Sequence, residues 1–331
     1  MLISINNGQL KIGAKEEQSL RDALLANEIK IGVCGGRGIC GKCKLKVQNC
    51  KQEFTEAEKK KLSEQEISEG FRLACQIEAV GGMEISLPDD VIDQQDFSAV
   101  CTKITPLTSD VRMFRFDMKD SQTLDYIPGQ YVQLTTPSDI EGYPSVTRTF
   151  SIASDPSDKS YFELIIKRTP NGNCTRYLFE KIEEGTELEF MGPDGDFRLT
   201  CNDSPMIFIA GGSGMSAIRC LLMEMRRTNC KRKTTYFFGA PTPEGLYMLD
   251  EMSAFENELS EFKFVPCVQT DPACQWKGAK GLVTQVVSSC YDKCNEAEAY
   301  LCGAPGMINA SIPVLETIGV DKSRIYYDSF G

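Results

Sequence analysis

Cys34, Cys40, Cys43 and Cys75 constrain this chain more tightly than any other feature. They stand as C-GGRGI-C-GK-C in a glycine-rich stretch and close with RLACQ, so any fold must bring a tight loop and a distant segment to one point. Four thiolates separated by small residues are the donor set of a 2Fe-2S cluster, because glycine lets the backbone wrap closely and aim N–H groups at sulfur. A structural zinc ion also takes four thiolates, but ordinarily from paired knuckles of two to four intervening residues. Here the first gap holds five residues, four of them glycine or apolar. The residues favour a cluster, with zinc or unligated thiols as the competing readings.

The rest of the composition narrows the class. A length of 331 residues predicts two or three domains, each able to bury its own core. Fifteen cysteines and an N-terminus without an apolar signal segment predict a reduced, cytoplasmic protein. No run of eighteen apolar residues exists, so no membrane span is expected. A net charge of −11 argues against a nucleic-acid partner, and suits either docking on a basic protein surface or simple solubility. There is no histidine at all, which excludes histidine triads, histidine-ligated hydrolase metals and Rieske clusters. Chemistry carried by bound cofactors is what remains.

Three domains are predicted, over residues 1–90, 97–200 and 203–331. In the first, alternation in LISI and LKIG predicts a hairpin turning at Asn6-Asn7-Gly8, and SLRDALLANEI an amphipathic helix leading into the cysteine loop. KCKLKVQ reads as a strand, Thr55 to Glu58 as a capping box opening one polar helix through Ile67, and MEISLP as a closing strand before an acidic linker, Asp89 to Asp96. Lys59 to Lys61 face solvent or a docking partner. The second domain shows short strands with turn residues between them, the pattern of an antiparallel barrel: AVCTKITPL, VRMFRFDM, YVQLTT, VTRTFSIAS, YFELIIKR and TELEFMG. The third alternates five apolar strands with helical stretches, which predicts a parallel sheet covered on both faces.

Candidate sites fall at fixed places in this scheme. Arg148-Thr149-Phe150-Ser151 followed by Gly172-Asn173-Cys174-Thr175 suits a flavin nucleotide: arginine grips a pyrophosphate, an aromatic ring stacks, a hydroxyl reaches the flavin N5 edge, and a helix start offers N–H groups to phosphate. Either motif alone is also an ordinary strand or cap. Gly211-Gly212-Ser213-Gly214, where an apolar strand becomes a helix, suits a dinucleotide pyrophosphate, or is a plain tight turn. Cys290 and Cys294 stand four apart on a predicted helix and read as metal ligands or, more simply, as incidental thiols. Cys50, Cys101, Cys201, Cys220, Cys230, Cys267 and Cys274 read as small apolar fillers.

Taken together, these motifs resemble the ferredoxin:NADP reductase-type flavoproteins that carry an N-terminal ferredoxin domain: oxygenase reductase components and the soluble part of the F subunit of sodium-translocating NADH:quinone reductases. The longer first cysteine gap resembles that quinone reductase component rather than the plant-type spacing. The resemblance implies a β-grasp ferredoxin domain, an antiparallel β-barrel flavin domain and an α/β nicotinamide-binding domain. It places Arg148, Phe150 and Ser151 in the flavin motif, where tyrosine is commoner than Phe150. It places Gly211, Gly212, Gly214 and Met215 in the nicotinamide motif, with Ala217 where a proline is usual. Cys302-Gly303-Ala304-Pro305 matches the motif whose cysteine lies beside the reacting nicotinamide carbon, and Phe330 matches a terminal aromatic residue near the flavin. Lys167 falls in a segment that lines the flavin in relatives, and equally reads as a solvated strand end.

The resemblance implies an NADH-dependent reductase in which Ser151 and Cys302 serve the hydride step, FAD receives it, and the cluster on Cys34, Cys40, Cys43 and Cys75 passes single electrons to a partner protein: an oxygenase, a dehydrase, a corrinoid protein or another metalloenzyme. NADH is expected over NADPH because Pro241-Thr242-Pro243-Glu244 follows the second sheet strand without a cation, although Arg219, Arg226 and Arg227 lie on the preceding helix. FAD is expected over FMN by resemblance. An alternative is an electron-input module docked on a larger membrane or corrinoid complex; the lack of the quinone reductase component's N-terminal membrane anchor counts against the membrane version. A zinc-stabilised nucleotide-binding scaffold is the non-redox reading.

Overall fold

The computed structural model of the chain describes residues 1–27, 29, 31, 36, 38, 41–87, 95–273 and 275–330. Cys34, Cys40, Cys274 and linker residues 89–94 therefore lie outside the described residues. Strands β1 (Leu2–Ile5) and β2 (Leu10–Gly13) form the expected hairpin, and Asn6, Asn7 and Gly8 all take positive φ in its turn. Asparagine and glycine are the residues that reach that region at least cost. Helix α1 (Leu20–Ala26) starts at Ser19, whose hydroxyl accepts from the Asp22 N–H. Strand β3 (Lys44–Gln48), helices α2 (Glu56–Lys61) and α3 (Glu64–Ser68), and strands β4 (Phe71–Leu73) and β5 (Glu84–Ser86) complete the unit. Its sheet runs β2-β1-β5-β3-β4 with β1 and β5 parallel, which is the β-grasp arrangement.

The single polar helix expected from Thr55 to Ile67 is in fact two. Ser63 and Glu66 make a second capping box, so the chain breaks at Leu62 and restarts. The first box does more than cap. Glu58 is fully buried and pairs with Arg72 at 2.8 and 3.0 Å, while also accepting from the Leu73 N–H at 3.1 Å. One carboxylate thus ties the start of α2 to the strand that delivers Cys75.

The second sheet comprises β6 (Gln95–Pro106), β7 (Val111–Met118), β8 (Tyr131–Thr135), β9 (Thr147–Ser151), β10 (Tyr161–Lys167) and β11 (Glu187–Asp194), all antiparallel and ordered β10-β7-β6-β11-β8-β9. A bridge between Ile152 and Leu164, with the Ala153 N–H donating to Glu163 at 2.8 Å, joins its two edges into a barrel. Helix α4 (Asn173–Glu180) covers one side. Phe97, Phe116, Phe162 and Phe190 pack edge-to-face and stacked in the interior. Asp96, expected in the linker, instead pairs with Met191 inside β6.

The third sheet is wholly parallel: β12 (Met206–Gly211), β13 (Thr234–Ala240), β14 (Phe262–Val268), β15 (Ala279–Lys280), β16 (Glu298–Gly303) and β17 (Ile325–Ser329). Helices α5 (Met215–Arg227), α6 (Leu249–Glu258), α7 (Val283–Cys290) and α8 (Pro305–Thr317) alternate with them. Phe208, Tyr236 and Phe238 face one core and Ile207, Ile209 and Phe237 the other, which is why these strands read as unbroken apolar runs. Five strands were expected; the sixth, β15, is a two-residue edge too short to carry periodicity. Helix α7 ends at Cys290, so Cys294 lies beyond it and the two thiols do not share a helix face. Cys201 is exposed and is no core filler, whereas Cys101, Cys220 and Cys267 are fully buried.

Barrel and parallel sheet share one apolar core, in which Val111, Ala153 and Ile165 meet Met215 and Ile218. Buried polar contacts pin the same seam. The Ser216 hydroxyl bonds both backbone groups of Ile165, and Arg219 reaches Ala153 O, Glu163 and Glu251, each at 2.7 Å. Among the described residues no helix is long and apolar enough to cross a membrane.

Candidate functional site

The parallel sheet is ordered β15-β14-β13-β12-β16-β17, so the direction of build reverses between β12 and β16. Loops leaving the carboxyl ends of those two strands diverge and open a crevice, the usual ligand position in such sheets. Gly211 to Gly214 leave β12, and Cys302-Gly303 end β16. Their approach is close: a Cβ on Gly214 would lie 2.0 Å from Cys302 O. Only glycine permits it. The crevice is lined by Lys167, Gly211, Gly212, Pro241, Met307 and Phe330. Tyr247 Oη donates to Gly212 O at 2.6 Å and fixes the loop.

Each predicted residue of this half has a definite place. Met215 is fully buried and accepts from Tyr236 Oη through sulfur, so only its backbone belongs to the loop. Pro305 opens α8, and the Phe330 N–H donates to Gly303 O at 2.9 Å, seating the terminal ring beside the crevice. Lys167 pairs with Asp110 at 3.3 Å and is half-exposed. Cys302 is fully buried; burial drives its thiol well above the ordinary range and the Asp328 carboxylate adds to that, so it is a neutral group.

In the barrel, β9 alternates. Thr147, Thr149 and Ser151 point to one face, Arg148 and Phe150 to the other. Arg148 lines a cavity of about 600 Å³ with Gln133, Thr135, Ser145 and Thr147, walled on one side by Arg21 and Leu25 of α1. Gln133 Nε2 is buried there without a hydrogen-bond partner. Such an orphaned donor is rare in folded proteins, and it fits a cavity that takes a polar, flavin-sized group. Phe150 packs on the barrel core. Helix α4 begins at Gly172 with no side-chain cap, as do α5 and α8 at Gly214 and Ala304, which leaves backbone donors available to phosphate. In the ferredoxin unit, by contrast, Ser19, Thr55 and Ser63 all cap their helices. The Thr175 hydroxyl accepts from Thr169 N–H and donates to Gly172 O, so it holds the turn rather than standing open. Cys174 is buried with its thiol pushed up to about 12, while Asn173 is exposed.

Of the four cysteines, the described pair Cys43 and Cys75 bring their sulfurs to 3.2 Å. Gln76 Nε2 donates to Gly36 O at 2.9 Å and lies 3.5 Å from Cys75 Sγ, a donor directed at the thiol the cluster reading requires. At Gly38, φ is positive and a Cβ would lie 2.8 Å from Ala57 Cβ, so the wrap against α2 demands glycine. The donor set and its hydrogen bonding fit a thiolate-held cluster.

The three units meet at one point that the sequence did not reveal. Ser151 Oγ donates to Asp328 Oδ2 at 2.8 Å, and Lys42 Nζ stands 3.2 Å from Asp328 Oδ1. Lys42 also donates to Thr149 Oγ1 at 3.3 Å and lies 3.8 Å from the Tyr131 ring centroid. Lys42 lies inside the C-GK-C motif but is not one of its ligands, and Asp328 belongs to no motif. The one available sign for Asp328 was a lone carboxylate beside the aromatic run of the terminal strand, RIYYDSF. Ser329 Oγ, next to it, is buried without a partner at the same junction.

A flavin-type barrel followed by a doubly covered parallel sheet, joined to a β-grasp cluster unit, is the architecture of a three-centre reductase. Family models agree with each part: 2Fe-2S iron-sulfur cluster binding domain over residues 3–80, oxidoreductase FAD-binding domain over 98–199 and oxidoreductase NAD-binding domain over 208–312. The reductase component of propane 2-monooxygenase from Rhodococcus jostii is 30% identical over 97% of this chain and 88% of that protein. The phenol hydroxylase P5 protein of Acinetobacter pittii is 30% identical over 96% and 91%. The F subunit of the Na(+)-translocating NADH-quinone reductase from Marinomonas is 26% identical over 98% and 90%. Among solved structures, the ferredoxin reductase in carbazole 1,9a-dioxygenase superposes with a TM-score of 0.73, 26% identity and coverage of 100% of this chain and 98% of that one. The chain belongs to the ferredoxin-reductase-type family of FAD- and NAD-binding oxidoreductases that carry an N-terminal 2Fe-2S domain. It is an electron-transfer component of that type.

Proposed function

We propose that this chain oxidises NADH in preference to NADPH and delivers the electrons singly, through its cluster, to an oxygenase protein in the cytoplasm. The observation that carries the reading is the junction itself: Asp328, paired in register with Cys302 at the end of β16, holds both Ser151 of the barrel and Lys42 of the cysteine loop. When bound, FAD accepts a hydride's two electrons together and releases them one at a time, which is what a 2Fe-2S cluster can accept. The chain's own residues bind and orient. Gly211, Gly212, Gly214 and the start of α5, with Gly303 and Pro305, hold the dinucleotide; Cys302, neutral and fully buried, supports the glycine loop on which the nicotinamide end rests. Arg148, with the backbone of Gly172 to Thr175, holds the flavin pyrophosphate; Phe150 and Phe330 cover the ring, Thr149 and Lys167 border it, and Ser151, oriented by Asp328, presents a hydroxyl to its N5 edge. Cys34, Cys40, Cys43 and Cys75 ligate the cluster.

Preference for NADH rests on charge. Arg219, Arg226 and Arg227 are each committed to carboxylates, and the segment after β13 offers only Glu244, whose carboxyl is held below its usual range by a hydrogen bond with Thr242. A 2′-phosphate meets repulsion there. The similarity to the quinone reductase component favours a second reading, an input module of a larger redox complex. Anaerobic titration tests the main reading: NADH should bleach flavin and cluster bands together, with NADPH much less effective. Flavin bleaching that never reaches the cluster refutes the route. Co-purification in a stable stoichiometric complex, with no transfer to a free oxygenase, decides for the second reading.

A further inference from the structure

We infer that Lys42 is the positioning residue that docks the ferredoxin unit onto the flavin site, setting the geometry for electron transfer from one to the other. The inference rests on the proposed electron route from flavin to cluster. Lys42 lies in the cysteine loop, one peptide bond from Cys43, yet its contacts with Asp328, Thr149 and Tyr131 all reach into the other two units. It pairs with Asp328 of the parallel-sheet unit, donates to Thr149 of the barrel and sits over the Tyr131 ring of the barrel. The ammonium side chain is 11% exposed and the Asp328 carboxylate 6%. A charge so sheltered is tolerated only with a partner, and removing one member leaves the other stranded. Tyr131 is itself held, its hydroxyl donating to Asp194 at 2.7 Å, so the platform under Lys42 is rigid.

The contact is shared with the hydride site. Asp328 gives one oxygen to Ser151 and the other to Lys42, so the carboxylate that orients the flavin-side hydroxyl also anchors the cluster loop. A second, looser contact reinforces the seam, Lys61 Nζ lying 5.7 Å from the Tyr327 ring centroid. The step served is the passage of single electrons from the reduced flavin to the cluster, two passages discharging the two electrons of each hydride while its proton leaves to solvent. A fixed approach of donor and acceptor is what such a step requires of the protein.

The test uses the full holoenzyme, wild type against Lys42→Met, Lys42→Arg and Tyr131→Leu. Anaerobic stopped-flow follows flavin and cluster bands after NADH, and small-angle X-ray scattering of the oxidised proteins reports docking. Lys42→Met should slow cluster reduction at least about tenfold relative to flavin reduction, equivalent to about 1.4 kcal/mol of lost docking, and raise the radius of gyration. Lys42→Arg keeps charge and donors and should restore most of the rate. Tyr131→Leu attacks the same contact from the barrel side, away from the cluster ligands, and should reproduce the slowing should Lys42→Met fail to assemble its cluster. Unchanged cluster reduction overturns the inference. So does slow reduction with an unchanged scattering profile, since Lys42 would then tune the cluster rather than dock it. Failure of NADH to reduce flavin in the wild type refutes the proposed function instead.

Discussion

Gly214→Ala isolates the close approach between the glycine loop and the end of β16. The backbone at Gly214 has φ −61° and ψ −15°, a helical conformation that alanine adopts freely, so any effect comes from contact alone. The added Cβ would lie 2.0 Å from Cys302 O, 2.6 Å from its carbonyl carbon and 3.1 Å from Gly303 N, where ordinary contact begins near 3.4 Å. All three obstacles are backbone, so no rotamer relieves them. The glycine loop and the β16 end must separate by about 1 Å or more, at a cost of about 1–3 kcal/mol in stability. A misplacement of about 1 Å between reacting groups costs on the order of 10²-fold in rate. The expected outcome is a fall of about 10²-fold in the stopped-flow rate of flavin reduction by NADH, with dithionite still reducing flavin and cluster fully. A variant that holds its flavin and matches the wild-type rate refutes the reasoning that this contact sets the crevice.

The same geometry makes four further outcomes testable. Cys75→Ser should abolish transfer to one-electron acceptors such as cytochrome c while NADH still reduces the flavin; equal loss of both would undo the assignment of the cluster as outlet. Ser151→Ala removes the hydroxyl that Asp328 orients and should lower the hydride rate about 10–100-fold with little change in KM for NADH. Glu58→Gln breaks a buried bidentate pair with Arg72 and should destabilise the ferredoxin unit by about 3–5 kcal/mol, read as an earlier loss of cluster absorbance on heating. Glu298 is buried, which raises its pKa, but hydrogen bonds from Thr200, Arg232, Asn202 and Tyr300 overcome this and hold it at about 2 against an ordinary 4.5. Its stabilisation, about 3 kcal/mol, is fully present above pH 4.5 and lost as pH falls through about 2, so the gap in denaturation midpoint between wild type and Glu298→Gln should close across that window.

Local pattern was legible wherever the relevant interaction is short in sequence. The Asn6-Asn7-Gly8 turn, the Thr55–Glu58 box and the strand-to-helix glycines at 211–214 each declare themselves within a few residues. The break at Leu62 comes from an equally local device, the Ser63–Glu66 box, which lies inside a polar run that otherwise reads as one continuous helix. Cys290 and Cys294 misled for the opposite reason: spacing by four suggests a shared face, but the helix had ended.

By itself the chain determined its parts. Four cysteines of one spacing, a flavin-type motif on an antiparallel strand and a glycine turn on a parallel one are properties of short segments, so composition and order name three centres. Tertiary structure decided how they connect. Strand order placed the Gly211 loop beside Cys302, and the junction drew Lys42, Ser151 and Asp328 together from positions more than a hundred residues apart. Pairings of that range leave no periodicity or spacing in the chain, because only the folded backbone brings the partners into reach.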